Sequence, residues 1–119
     1  MKYIILIYGE EKNWMGSSPG VRDEVTAAYM KYVGELVQAG AMVAGDPLQP
    51  VATATTIRVR DGKVQTTDGP FAETKEQLGG YFVIEAKDLD EAIRWGQKCP
   101  GAAHGCVEVR PLLPKPPGI

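Results

Sequence analysis

The chain has 119 residues, enough for one hydrophobic core and too few for two independent ones. Its 13 Lys and Arg stand against 15 Asp and Glu, a net charge of −2 with no long run of either sign, which argues against a dedicated nucleic-acid binder and against electrostatic attachment to a membrane. The two cysteines, Cys99 and Cys106, form no CxxC pair and have no zinc-site spacing, so the expectation is a reduced, cytoplasmic protein without cofactor or metal.

Tyr3-Ile4-Ile5-Leu6-Ile7-Tyr8 is β-branched and aromatic and is stopped by Gly9, which reads as a strand. It is too short for a membrane span or a signal h-region, and its apolarity at odd and even positions predicts cover on both faces. Glu10 to Ser17 reads as a loop. Ser18 then offers an N-cap with Pro19 at the first helical position. Val21, Val25, Ala28, Tyr29, Tyr32, Val33, Leu36 and Val37 follow at helical spacing until Gly40.

Ala41 to Ala44 is a short candidate strand, and Gly45-Asp46-Pro47 a turn. Thr53 to Arg60, Asp61-Gly62 and Lys63 to Thr67 form a hairpin with a two-residue turn. That turn sets Arg60 opposite Lys63 and Val59 opposite Val64, so Ile57, Val59 and Val64 are expected to share a core face. Asp68-Gly69-Pro70 ends the hairpin, and a polar crossing leads to the next strand, Gly80 to Glu85. Asp88 and Glu91 have the spacing of a capping box for a helix whose inner stripe would be Leu89, Ala92, Ile93 and Gly96. Pro100-Gly101 closes it, Cys106 to Arg110 alternates as the last strand, and the prolines from Pro111 onward predict an extended tail.

The order strand, helix, hairpin, strand, helix, strand predicts a single α+β domain over residues 1–113, with a tail at 114–119. The expected architecture is a ferredoxin-like sandwich, an antiparallel sheet with two helices on one face. Two helices cover only one face of such a sheet. The apolar first and fourth strands would then leave a hydrophobic surface, which a second copy would cover in a two-fold homodimer.

The stretch Asp68-Gly69-Pro70-Phe71-Ala72-Glu73-Thr74-Lys75-Glu76-Gln77-Leu78-Gly79-Gly80-Tyr81 resembles the signature of the DGPF-domain, YCII-related family. The flanks agree, with Lys2-Tyr3 entering the first strand, Leu48-Gln49-Pro50, Asp88-Leu89-Asp90-Glu91-Ala92 and Val107-Glu108-Val109-Arg110-Pro111. The resemblance covers nearly the whole chain. It implies a dimeric α/β barrel, chemistry centred on a His and Asp pair in a cleft, and an association of such proteins with extracytoplasmic-function sigma factors.

Three groups of residues could carry function. Asp68 with His104, the sole histidine, could act as an acid–base pair, the alternative being a solvated loop histidine. Turn chemistry accounts for Asp68-Gly69-Pro70 but not for Phe71, Glu73, Lys75 and Glu76, which either line a ligand cleft or make exposed ion pairs of little consequence. Tyr8, Tyr81 and Arg110 could point polar tips into the same cleft, although Tyr also fills interfaces and Arg110 has a structural partner within reach in Glu108. Asp46, Glu73 and Glu76 lack the spacing of a metal site. The leading expectation is a dimer that binds a small polar or anionic molecule beside the 68–77 segment. The alternative is a regulatory module that acts through protein contacts with a sigma factor.

Overall fold

In a computed structural model, which describes residues 1–119, the main sheet is four-stranded and antiparallel. Its strands are β1 (Lys2–Gly9), β2 (Met42–Pro47), β5 (Gln77–Glu85) and β6 (Cys106–Pro111), in the order β2-β5-β1-β6. Helices α2 (Pro19–Gln38) and α3 (Leu89–Lys98) are the long connections. This strand order and connectivity are the ferredoxin-like sandwich, with one insertion. Strands β3 (Thr55–Arg60) and β4 (Lys63–Asp68) form a separate two-stranded sheet between β2 and β5.

The local signals account for most boundaries. The Ser18 hydroxyl accepts from the Val21 amide, Pro19 opens α2, and Gly40, at φ +70°, supplies the left-handed residue that ends it. Asp88 accepts from the Glu91 amide at 2.9 Å, and the Glu91 carboxylate reaches back to the Lys87 amide at 3.2 Å. Arg60 pairs with Lys63 and Val59 with Val64, the register that the Asp61-Gly62 turn requires.

The core lies between the sheet and the helices. Tyr3 and Ile5 of β1 and Phe82 and Ile84 of β5 meet Tyr32 and Leu36 of α2. The ring of Tyr32 stands edge-on to Phe82 at 5.3 Å, and its hydroxyl donates to the Trp95 carbonyl of α3 at 2.7 Å. Burial pushes the Tyr29 and Tyr32 phenols well above their usual range, and it also raises the Cys99 thiol.

Several elements differ from the sequence reading. Gly45-Asp46-Pro47 continues β2 instead of turning, because Gly45 lies against the Phe82 ring where a side chain would clash. Strand β5 begins at Gln77, earlier than Gly80. The segment read as loop after β1 contains a short helix, α1 (Glu11–Met15), and the one before β6 contains α4 (Gly101–His104). In α3, Ala92 and Gly96 face inward but Leu89 and Ile93 are exposed. Gly96 sits so near Val107 and Val109 that only the small-residue stripe can face the sheet. Ile57, Val59 and Val64 share one side of the hairpin, as the register demands, but that side covers no core: all three are more than half exposed. No helix is long and apolar enough to cross a membrane.

Candidate functional site

The side of the sheet away from the helices carries the polar residues. Alternation along β1 puts Ile4, Leu6 and Tyr8 on this open face, because Tyr3, Ile5 and Ile7 pack with the core. Their cross-strand partners follow: Val83 and Tyr81 on β5, and Arg110, Glu108 and Cys106 on β6. Asp46 of β2 lies opposite Tyr81, whose hydroxyl donates to the Asp46 carboxylate at 3.1 Å. That hydrogen bond, reinforced by the carboxylate's charge, raises the Tyr81 phenol above its ordinary value. The Arg110 guanidinium donates to Glu108, which raises Arg110 in turn, so the structural pair weighed from the sequence is present. Tyr8, Tyr81 and Arg110 are thereby brought onto one face, set among the half-buried side chains of Ile4, Leu6 and Val83.

Of the other candidates, Glu73, Lys75 and Glu76 lie in the stretch that leads into β5, at the end of the sheet where β1 and β2 finish and β5 and β6 begin. Between the Ile7 and Tyr8 positions the β1–β5 register slips by one residue, at Gly79, a bulge of the type that re-aims neighbouring side chains. Gln77 anchors the approach to β5: its side-chain oxygen accepts from the Glu11 amide at 2.9 Å, and its side-chain nitrogen donates to the Thr74 carbonyl at 2.6 Å. The Glu11 carboxylate accepts from the Val51 amide at 3.0 Å. At the other end of the segment the Gly69 amide donates to the Ala54 carbonyl at 2.7 Å. The stretch 69–77 is thus pinned at both ends, and Glu73 and Lys75 stand exposed between the pins without an ion pair, as does half-buried Glu76.

Asp68 and His104 do not meet within one chain. Asp68 is exposed at the end of β4, opposite Thr55. His104 is exposed at the end of α4, which packs through Gly101 against Ile7 and Tyr29, on the helix-covered side. No hydrogen bond or ion pair joins them. Phe71 is drawn to the hairpin instead of the sheet, its ring 5.0 Å beneath the Arg58 guanidinium. No three His, Cys, Asp or Glu side chains come together in a way that could hold a metal ion. Sequence reading passed over Glu11 and the anchoring role of Gln77, because their partners lie 40 and 66 residues away and no local pattern marks them. Turn chemistry hides Asp46 in the sequence, and extending β2 through Gly45 is what places it across from Tyr81.

The model of the YCII-related domain matches residues 1–115 of this sequence. The chain belongs to the YCII-related family. This YCII-related protein is 35% identical over 120 residues to an uncharacterised protein of Rhizobium meliloti (strain 1021), with 99% of this chain and 97% of that protein covered. Among solved structures it is similar to 5-chloro-2-hydroxyhydroquinone dehydrochlorinase from Burkholderia phenoliruptrix AC1100, in complex with 2,5-dihydroxybenzoquinone. The TM-score is 0.52 at 19% identity, over 95% of this chain and 94% of that one. At that identity the likeness shows the fold, an antiparallel α+β sandwich.

Proposed function

We propose that this YCII-related protein is a homodimer that binds a small polar or anionic molecule between the open face of its sheet and the 68–77 segment. The observation that carries this reading is the patch itself. Two tyrosines, a Tyr81–Asp46 hydrogen bond and a Glu108–Arg110 pair sit on a sheet face otherwise made of Ile4, Leu6 and Val83. A few polar groups fixed in an apolar surround are the usual make-up of a small-molecule site. A single chain leaves that face open, and a second copy would roof it. Asp68 and His104 would serve as acid and base only in a closed assembly that draws them together, since one chain holds them apart.

The dehydrochlorinase that shares the fold is complexed with a hydroxylated quinone, a flat molecule with acidic hydroxyls. It supplies a first probe. A thermal-shift screen with 2,5-dihydroxybenzoquinone, small carboxylates and inorganic phosphate is expected to find at least one stabilising compound. Tyr81→Phe and Arg110→Ala should each weaken its binding about tenfold, the loss of one well-placed hydrogen bond to a charged group. The reading fails if no probe stabilises the protein at millimolar concentration, or if a probe binds both variants as well as the unaltered chain.

A further inference from the structure

The β3–β4 hairpin is an arm whose apolar side has nothing against it. Within residues 55–68 only Thr56 is even half-buried, and Ile57, Val59 and Val64 are 63%, 56% and 68% exposed on one side of the ribbon. An isolated two-stranded hairpin is marginal in water, and its apolar side has no reason to line up unless something covers it.

The size of the exposed surface says what does. The chain has 8489 Å² of accessible surface, whereas a compact monomer of its mass would have about 6,300 Å². Its radius of gyration is 16.4 Å, against about 13.5 Å for a compact chain of this length. The exposed tail after Pro111 and the exposed arm both add to the excess. The excess, roughly 2,200 Å², is larger than the about 800 Å² that a standard stable interface takes from each partner, so the chain exposes surface enough for a second copy to cover.

We infer that the arm is a clasp: in solution its Ile57, Val59 and Val64 side packs on a second copy of this chain, and by two-fold symmetry the partner's arm returns the contact. The inference rests on the dimer reading above and adds the element that holds the dimer together. The opposite side of the arm carries Arg58, Arg60 and Lys63, with the Phe71 ring against Arg58 and no acidic residue among them, so its charged side chains stay toward water while the apolar side faces the partner.

Sedimentation equilibrium of the full chain across a dilution series tests both statements separately. The unaltered chain is expected to dimerise. The double variant Ile57→Lys, Val64→Lys should raise the dimer dissociation constant at least tenfold while its circular dichroism is unchanged. Gln65→Lys, on the other side of the arm, should leave the dissociation constant as it was. Amide exchange across Thr55–Asp68 in the unaltered chain should slow as protein concentration rises, a readout that needs no variant to fold. A chain that is monomeric at every concentration overturns the clasp and the dimer together. A dimer whose dissociation constant ignores the double variant, or whose arm exchanges at a rate independent of concentration, overturns the clasp alone. Equal weakening by Gln65→Lys overturns the choice of side.

Discussion

Val83 and Ile84 are neighbours on β5 and face opposite ways. Ile84 is fully buried under α2, while Val83 lies half-buried on the open face with Ile4 and Leu6. One side of the sheet is completed by its own chain, through aromatic rings that interlock and a Tyr32 hydroxyl that reaches across to α3. The other side also carries aliphatic side chains, Ile4, Leu6 and Val83, but ends in solvent, and that is the side on which the polar groups are displayed. The closed core and the proposed binding surface thus lie on opposite sides of one sheet.

The largest expected effect tests that division directly. Ile84→Ala leaves a cavity in a closed core and should cost about 2–5 kcal/mol in urea unfolding at any protein concentration. Val83→Ala should cost less than about 1 kcal/mol in dilute solution and, in the proposed dimer, become more damaging as the protein is concentrated, because there a second copy would complete its surroundings. Equal costs at high dilution would erase the distinction between the faces.

The next effect concerns protons. Tyr29, Tyr32 and Cys99 hold theirs in the folded chain under conditions in which the unfolded chain, with ordinary values of 10.0 for Tyr and 9.0 for Cys, has released them. Folding stability from these groups is thus complete below pH 9 and is lost as pH climbs beyond it, since the unfolded state then binds fewer protons. Unfolding midpoints measured between pH 7 and 11 should fall at the alkaline end. Tyr81 differs in cause: Asp46→Asn should bring its phenol back down in an ultraviolet titration without moving the two buried tyrosines. The smallest effect is local. Asp88→Ala removes the cap of α3 and should cost about 1 kcal/mol, irrespective of either face.

Much of this architecture is written locally. Asp61-Gly62 sets the hairpin register residue for residue, and Ser18-Pro19 and Asp88 with Glu91 mark the helix starts, because turns and caps depend on a handful of consecutive residues. The misreadings share one origin: long-range contacts overrode local preference. Gly45-Asp46-Pro47 has turn chemistry, but the Phe82 ring needs the glycine beside it and the strand runs on. Leu89 and Ile93 fit an inward stripe by hydropathy, yet Gly96 permits a close approach to Val107 and Val109 that turns them outward. For the candidate site, residue types were legible and geometry was not. Alternation alone groups Tyr8 with Leu6, but nothing along the chain announces that Gln77 will hold Glu11 or that Asp46 will answer Tyr81.

The hydrogen bond between Gly69 and Ala54 closes the base of the arm, so the chain departs from the body and rejoins it at a single point. Everything between those residues is a graft on a finished sandwich. Its length and sequence can drift with little penalty to the body, since loop closure grows only slowly costlier with added residues. With the arm as the proposed clasp, that freedom would let sister proteins of a common ancestor alter which copies they recognise, keeping like with like, while the sheet beneath remains as it was.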